Sequence, residues 1–435
     1  MTSKKRPKGP LGTGGRRAII CAAPVLAFGW LAAQAQPVFV PPVQYGDRVT
    51  TVEQASTNWV GSVAAPALQA PATGPETYPL QWGPVKFHPH LGYQIVYGDG
   101  ILRGPDDPKT TWLSTISPGV FLELGKYWNF DFTASFDRYS NAEFNNSQNY
   151  FGALRGHIPT EDWLLDFGYV ASLTDQPQVQ TAVQTLQNAH LVTASGIYNY
   201  QTRLSLELSG TMDARLAQAF NDYYTFSTLE WLNYKATSKT ALGLGVGGGY
   251  NIVKPGPDWT FEQFQGRIVW LPGEKLTIQL SGGVQFMQFN GTDATGTTNA
   301  LSETKVTPII AAAAAYRAFE HTSFSLSADH LVGNAYEEGQ FAESTTFSAG
   351  VRQRFLEHFY LDVVPGYTMR DYKSTLQGGA DGRKDDYFSV YAGVSTALFK
   401  RLNVSVFYLF SDNDSNDPNF AFDSTQVGLR LEYRY

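Results

Sequence analysis

The sequence has few charged residues and a single cysteine. Only 16% of its 435 residues are charged, against about 25% in soluble proteins. Cys21 lies in the first 35 residues, so the remaining chain has no thiol for a disulfide or a thiolate metal site. After residue 36 no apolar run approaches the roughly 20 residues that a membrane-spanning helix needs. A membrane-spanning form of this chain must therefore be a closed β-barrel, because only helices and barrels satisfy every backbone polar group in lipid.

Residues 1–35 have the composition of a secretory signal peptide. Six basic residues come with an apolar stretch at 18–33, and Ala33-Gln34-Ala35 fits the small-x-small rule, which predicts cleavage after Ala35. The stretch is interrupted by Pro24 and is short for a membrane anchor. Cleavage removes those six basic residues from a formal net charge of −7 and leaves about −13. No nucleic acid partner is expected at that charge.

Residues 36–84 are rich in proline. Eight prolines are separated by stretches that contain Ala, Thr, Val and Gln, and no periodicity is sustained. Such a composition predicts a periplasmic linker or arm. Entry of this arm into a barrel as a plug is the open alternative.

From residue 85 to 435 the chain repeats segments of 10 to 13 residues in which apolar and polar side chains alternate. Period two predicts strands. Eighteen candidate strands start near Phe87, Trp112, Trp128, Asn149, Trp163, His190, Arg203, Tyr223, Thr240, Thr260, Lys275, Val306, Thr322, Ser344, Phe359, Asp385, Leu402 and Phe422.

The breaks between these strands alternate in length. Short breaks such as Gly125-Lys126-Tyr127 alternate with longer polar breaks, including residues 98–111, 175–189, 251–259, 290–305, 333–343 and 373–384. Short turns on one rim and long loops on the other are typical of an up-and-down transmembrane barrel. The sequence therefore predicts an all-β fold, a transmembrane up-and-down antiparallel β-barrel of about 18 strands, with 16 to 18 as the range. Short turns are expected on the periplasmic side and long loops on the extracellular side.

The last strand carries an expected assembly signal. Val427, Leu429, Leu431, Tyr433 and Tyr435 share one parity and end on an aromatic residue, while Arg430, Glu432 and Arg434 share the other. This pattern resembles the C-terminal strand of Gram-negative outer-membrane β-barrels, although the usual final residue is Phe. The resemblance implies recognition by the barrel assembly machinery.

The whole of residues 85–435 resembles Gram-negative outer-membrane porins. It is most similar to the putative β-barrel porin families of the second type, through aromatic-ended strands and charged turns such as Leu-Pro-Gly-Glu-Lys at 271–275. The resemblance implies a cell outer membrane location after export and contact with outer-membrane lipid and lipopolysaccharide. It carries no catalytic motif.

The polar parity of the strands predicts the residues that line the lumen. The pore-lining candidates are Arg352, Arg354, Arg430, Glu432, Arg434, Asp131, Asp137, Arg155 and Arg267, and Glu123, Asp166, Glu207, Glu230, Asp329 and Asp362 take the same parity. The basic members concentrate on late strands and the acidic members on early strands. Two interpretations stay open: a basic ladder facing an acidic arc across the pore, or charges that pair across neighbouring strands.

Two other patterns are informative. Trp112, Trp128, Trp163, Trp259 and Trp270 sit at strand ends, where interfacial aromatic girdles are expected. Gly243, Gly245 and Gly248 spell G-x-G-x-x-G, but the helix that a dinucleotide site requires does not follow. These glycines are better explained as relief of crowding, or as a bend, in a strand.

The expected function is passive diffusion of small hydrophilic solutes through a porin-like channel, without catalysis, metal or cofactor. The alternative is a barrel without an open pore, either a component of surface-polysaccharide export or a structural or adhesive outer-membrane protein. Acidic loop residues, among them Asp99, Asp106, Asp107, Glu337, Glu338, Asp412, Asp414 and Asp417, predict a weak preference for cations. The oligomeric state stays open, with a homotrimer among the alternatives.

Overall fold

The computed structural model describes residues 80–99, 109–178, 183–218, 220–290, 300–301, 303–376, 382–399 and 401–435. The predicted signal peptide at 1–35 and most of the predicted linker at 36–84 lie outside these residues, as do Asp106 and Asp107. Nineteen strands are present: β1 Leu80–Trp82, β2 Val85–Asp99, β3 Thr110–Leu124, β4 Trp128–Tyr139, β5 Ser147–Pro159, β6 Trp163–Gln178, β7 Val183–Gln201, β8 Leu204–Ala217, β9 Asp222–Lys235, β10 Thr240–Lys254, β11 Asp258–Gly273, β12 Leu276–Asn290, β13 Lys305–Phe319, β14 Thr322–Asn334, β15 Gln340–Phe355, β16 Phe359–Ser374, β17 Lys384–Leu398, β18 Leu402–Ser415 and β19 Phe422–Arg434.

Strands β2 to β19 form a closed antiparallel barrel of 18 strands. Each strand pairs with its sequence neighbours, and β19 closes the ring on β2 from Gln426↔Gly98 to Arg434↔His90. The short β1 pairs with the start of β2 alone. The predicted fold is confirmed, with the even strand number that antiparallel closure with both chain ends on one rim requires.

The two rims differ as the break lengths predicted. One rim, the short-turn rim, has connections of two to four residues, from 125–127 to 399–401. The other, the long-loop rim, carries longer connections such as 100–109, 291–304 and 375–383. Several of its connections are shorter than predicted: β6 and β7 continue through most of residues 175–189, only 255–257 separate β10 from β11, and only 335–339 separate β14 from β15.

The outer wall is apolar because apolar and polar residues alternate along each strand. Successive side chains of a strand point to opposite faces, and in β10 the outer face carries Leu242, Leu244, Val246 and Tyr250, all exposed. A surface of this kind is stable against hydrocarbon and not against water. No helix among the described residues is long and apolar enough to cross a membrane.

Candidate functional site: the lumen and its mouth

The closing strand identifies which face lines the lumen. On β19, Val427 and Tyr433 are exposed on the outer wall, and Tyr435 at its end is also exposed. Leu429 and Leu431 share their parity and are partly buried. The opposite parity carries Arg430, Glu432 and Arg434, so these three predicted pore residues point inward.

At the seam between β19 and β2, charged side chains of opposite sign lie next to one another. Arg430 donates from Nε and Nη2 to Oε1 of Gln94 at 3.0 and 2.8 Å. Glu432 lies between the guanidinium groups of Arg430 and Arg434, at 3.9 and 4.0 Å. The seam is therefore held by side chains as well as by its backbone ladder.

The two arginines of β15 occupy different heights. Arg352 lies in the lumen, where its Nε is 3.5 Å from Asp362 and its guanidinium is 5.2 Å from the ring of Tyr360. Arg354 lies at the short-turn rim and donates from Nε to the carbonyl oxygen of Glu357 at 2.6 Å. Only Arg352 can contribute to a field within the barrel.

On the early strands, Asp137 is the centre of a buried polar network. Its carboxylate accepts hydrogen bonds from Thr115, Ser147 and Asn149 at 2.6 to 3.1 Å, and from Gln176 at 3.1 Å. Four donors satisfy the carboxylate without a cation. Asp131 and Arg155 lie on the same inner face, through the pairs Asp131↔Ala153 and Asn129↔Arg155.

Arg267 belongs to a packed cluster on the inner face of β8 to β11. Its guanidinium forms an ion pair with Glu207, donates to Asn233 and lies 4.2 Å from the ring of Trp231. Gly243 and Gly245 of β10 lie beneath this cluster, where an added Cβ would come within 2.7 Å of Arg267 and 2.8 Å of Trp231. Relief of crowding, the role predicted for these glycines, is what the geometry requires.

These contacts bear on the two interpretations of the lumen charges. Arg267 with Glu207, Arg352 with Asp362 and Arg215 with Asp213 at 3.7 Å each join opposite charges on the inner wall. Opposite charges this close cancel most of each other's field at a distance. The described geometry therefore favours pairing along the wall over a ladder that faces an acidic arc.

Four of the five predicted interface tryptophans lie on the outer wall near a rim. Trp112 is near the long-loop rim, and Trp128, Trp163 and Trp270 are near the short-turn rim. The prediction is wrong for Trp259, which points inward, is 2% exposed and packs against Phe261 and Phe289. Its parity follows the register of β11, which sequence spacing at a strand end does not reveal.

The assignment of Glu230 to the lumen is also wrong. Its neighbours Leu229 and Trp231 are each 1% exposed on the inner face. Glu230 therefore points outward with Leu232, opposite Leu208 and Val246 in the register of the outer wall. The bulky inner side chains of β9 reverse the rule that the polar parity faces the lumen.

The mouth at the long-loop rim is crossed by a hairpin made from the ends of β14 and β15, residues 331–344, here called the mouth hairpin. Strands β14 and β15 pair with each other up to Asn334↔Phe341. In contrast, β13 pairs with β14 only up to Ile310↔His330. Beyond that pair β14 separates from β13, while β15 stays paired with β16 up to Gln340↔Ser374.

The mouth hairpin bends into the barrel and packs on the inner face of distant strands. Asn334 accepts a hydrogen bond from Trp259 Nε1 at 3.0 Å and donates to Thr225 and Asn251 at 3.2 and 3.1 Å. At the tip, Tyr336 donates to Gln187 of β7 at 3.3 Å. Strand β7 lies seven strands from β14 in a ring of 18, so the hairpin spans nearly the width of the mouth.

An apolar cluster holds the mouth hairpin in this position. Val332 and Phe341 of the hairpin are buried against inner-face side chains of β9 to β12: Tyr223, Val253, Trp259, Phe261, Met287 and Phe289. At the edge, Glu343 pairs with Lys305 at 3.1 Å and Lys373 at 3.0 Å. Apolar burial and two ion pairs together make this a fixed element of the mouth.

Other segments of the long-loop rim contact the mouth hairpin through hydrogen bonds and packing. The amide of Thr375 donates to the carbonyl of Gly339 at 2.8 Å, and Gly339 has the positive φ of 69° that a tight tip requires. Arg383 lies between the rings of Tyr372 and Phe420, at 4.1 and 3.8 Å, and pairs with Asp385 at 2.9 Å. Tyr372 also packs on Ala335 and Ala342 of the hairpin.

The sequence predicts residues 333–343 only as one of the long breaks between strands, and the mouth hairpin does not follow from it. A signal was present in the neighbouring strands. Trp259, Phe261, Met287 and Phe289 all take the lumen parity, which is polar elsewhere in the barrel. Four large apolar side chains facing water would be unfavourable, and they indicate that something covers them.

No group of three or more His, Cys, Asp or Glu side chains among the described residues is placed to hold a metal ion. What the described inner face presents is a wall of paired charges and amides, with an apolar cover at one mouth.

Comparison with known proteins agrees with this architecture. Residues 267–435 match the family model described as Putative beta-barrel porin 2. The match confirms the predicted resemblance over the second half of the barrel and includes the mouth hairpin. No curated protein matches the chain.

Three of the solved structures that the chain matches illustrate how low the sequence identity is. OccK3 (OpdO) of Pseudomonas aeruginosa is 13% identical, with 80% of this chain and 95% of that chain covered and a TM-score of 0.42. OpdK of the same organism is 12% identical, with coverage of 80% and 98% and a TM-score of 0.43. OccAB3 of Acinetobacter baumannii is 12% identical, with coverage of 81% and 99% and a TM-score of 0.40.

Proposed function

We propose that the protein is an outer-membrane channel for passive diffusion of small hydrophilic solutes. The observation that carries this proposal is a closed barrel of 18 strands with a largely polar inner face. Barrels of this size are wide enough for an aqueous pore. In this proposal residues 1–35 direct export, and Val427, Leu429, Leu431, Tyr433 and Tyr435 serve the barrel assembly machinery.

Selection in such a channel would occur at the mouth. The mouth hairpin narrows the long-loop rim, and Glu337 and Glu338 are at its tip. Solutes would be sorted by size against the hairpin and by charge against these carboxylates, because narrow openings lined by one sign of charge discriminate in both ways. No covalent step is involved.

The second candidate is a barrel without an open pore, in surface-polysaccharide export or in a structural or adhesive role. The reach of the mouth hairpin across to β7 favours it, since the same contacts that narrow the mouth would also serve to close it. Residues 37–79, rich in proline, supply a further segment whose removal tests for a plug.

The deciding experiment measures single-channel conductance of the refolded protein without residues 1–35 in planar bilayers, together with swelling of liposomes in sugars of increasing size. We expect discrete conductance steps and swelling that slows as the sugar grows. A variant that also lacks residues 37–79 is the control for a plug. Absence of conductance in both proteins would overturn the channel proposal and support the closed barrel.

A further inference from the structure

Glu230 places a carboxylate on the lipid-facing wall. Along β9 the outer face reads Tyr224, Phe226, Thr228, Glu230, Leu232 and Tyr234. Phe226 is 36% exposed and Leu232 is 50% exposed on this face. Glu230 is therefore the one ionisable residue between two aromatic ends of an otherwise uncharged face.

The depth of Glu230 rules out contact with the water at either rim. It lies four residues above Tyr234, which at about 3.3 Å per residue and a tilt of about 40° is roughly 10 Å from the lower aromatic girdle. The apolar band of such barrels is about 25 Å tall. A glutamate side chain is too short to cover that distance, so this carboxylate is surrounded by hydrocarbon unless a protein covers it.

The wall beside Glu230 is shaped for close approach. Leu208 and Val246 lie directly opposite Glu230 on β8 and β10, and the next row consists of Gly210, Thr228 and Gly248, followed on β11 by the exposed, outward-facing Glu262. Small residues in a row let a neighbouring membrane segment come near the backbone. Glu230 lies beside this row and Glu262 lies at its β11 end, so two carboxylates border the surface.

A carboxylate in this position is stabilised by a basic partner. No ion pair or hydrogen bond of the described residues engages Glu230. Ionisable groups inside a membrane are costly and generally pair with a partner. Glu230 is destabilising when only lipid surrounds it, and it becomes stabilising when a basic group lies against it.

A second copy of the chain does not supply that basic group. Lysines and arginines on the outer face of the described strands are Arg138, Lys254, Lys373 and Lys384, and each is within one residue of the long-loop end of its strand. The outer-face histidines are engaged, His190 with Tyr169 at 3.0 Å and His330 with Thr345 at 2.7 Å. Contact between copies would therefore bring no lysine or arginine to the depth of Glu230.

We propose that the outer wall of β8 to β10 around Glu230 is a docking face for a membrane-embedded segment of a different protein that presents a lysine or arginine to this carboxylate. The row of Gly210, Thr228 and Gly248 receives the segment, and Glu230 fixes its depth. The interaction is independent of whether the pore conducts.

The first test is photocrosslinking in outer membranes of the native host. A benzoylphenylalanine at Thr228 should give an adduct that the same probe at Ile116, on the exposed outer wall of β3, does not give. The adduct should be lost in Glu230→Leu and kept in Glu230→Asp. The crosslinked peptide should be a membrane segment with a lysine or arginine, and reversing both charges should restore the adduct.

Three outcomes would overturn the proposal: no adduct at Thr228, equal adducts at both probe positions, or an adduct that contains only peptides of this chain. The last would identify a second copy or the chain's own N-terminal arm as the occupant.

A second measurement guards against a folding defect. In pure lipid vesicles without a partner, Glu230→Leu should unfold at a denaturant concentration equal to or above that of the unmodified protein, because an unpaired carboxylate in hydrocarbon is destabilising. A lower midpoint would mean that Glu230 supports the barrel itself, and the docking proposal would fail.

Discussion

Trp231 lies against a part of β10 that has no side chains on its inner face. Gly243, Gly245, Gly247 and Gly249 share that face. The ring of Trp231 fits over Gly245, and Arg267 is stacked on the ring at 4.2 Å. The glycines therefore create the space in which an ion pair and an aromatic ring are buried together.

Gly245→Ala should destabilise the barrel by about 1–3 kcal/mol, the usual cost of overpacking a filled site. The new methyl group would come within 2.8 Å of Trp231, whose ring must move and lose its contact with Arg267. The free energy of unfolding in lipid vesicles, from denaturant titration, measures the effect.

Gly266→Ala is the matched control for this substitution. It is also a glycine within a strand of the same wall, but its added Cβ would meet only one backbone oxygen at 4.0 Å. We expect no loss of stability there, and equal losses at both positions would show that strand propensity, and not the ring of Trp231, explains the effect.

At the scale of the element, the mouth hairpin depends on one amide. Asn334 joins Trp259, Thr225 and Asn251 through its side chain. These three residues belong to three different strands, so a single side chain connects the hairpin to a broad part of the inner wall.

Asn334→Ala should loosen the hairpin while the barrel stays folded. The loss leaves the Trp259 N–H and the Asn251 amide without this partner, which costs about 1–3 kcal/mol at buried groups. An Ala342→Cys probe, buried on the hairpin, should then react faster with a maleimide, and channel openings should become larger or more frequent. The protein for this test lacks residues 1–35 and therefore has no other cysteine.

Asn149→Ala is the control, because Asn149 is also a buried asparagine near the long-loop rim but bonds to Asp137 and not to the hairpin. Unchanged labelling in Asn334→Ala, or equal increases in both variants, would show that Asn334 does not hold the hairpin.

At the scale of the whole molecule, charge is distributed unevenly between wall and mouth. Several inner-wall charges are paired with a neighbour. Glu337 and Glu338 at the hairpin tip, by contrast, form no ion pair with any of the described residues. The mouth should therefore dominate ion selectivity, consistent with the excess of acidic residues in the chain.

We expect a reversal potential of cation-selective sign in a potassium chloride gradient. The preference should be stronger near 0.1 M salt than near 1 M, because the screening length falls from about 10 Å to about 3 Å. Glu337→Gln with Glu338→Gln should reduce it. Glu161→Gln with Asp162→Asn, at the short-turn rim, is the control, and clear anion selectivity of the unmodified protein would contradict the prediction.

The strand positions could be predicted because alternation and break length are local properties. Seventeen of the predicted starts fall close to the observed strands, while β7 begins at Val183, well before His190. Residues such as Thr185 and Gln187 do not alternate clearly in polarity, and their place in the wall follows from pairing with β6.

The candidate site could be predicted only in part. Parity placed Arg352, Arg430 and Arg267 on the inner face, but not the partners that neutralise them, which depend on register between strands. Glu230 is misassigned because parity alone does not say which face is inner when large apolar side chains fill part of the lumen. Trp259 is misassigned because a position at a strand end does not say which face the side chain takes. The mouth hairpin required knowledge of contacts between strands seven positions apart, which no local pattern contains.

The early end of pairing between β13 and β14 has a consequence for how this fold can diverge. Below Ile310↔His330 both edges of β14 are paired within the wall. Above that pair β14 is paired with β15 alone, while β15 stays paired with β16 up to Gln340↔Ser374. Side-chain changes within residues 331–339 can therefore alter what enters the mouth without breaking the ladder that β15 and β16 share, so the shape of the mouth can vary separately from the rest of the barrel.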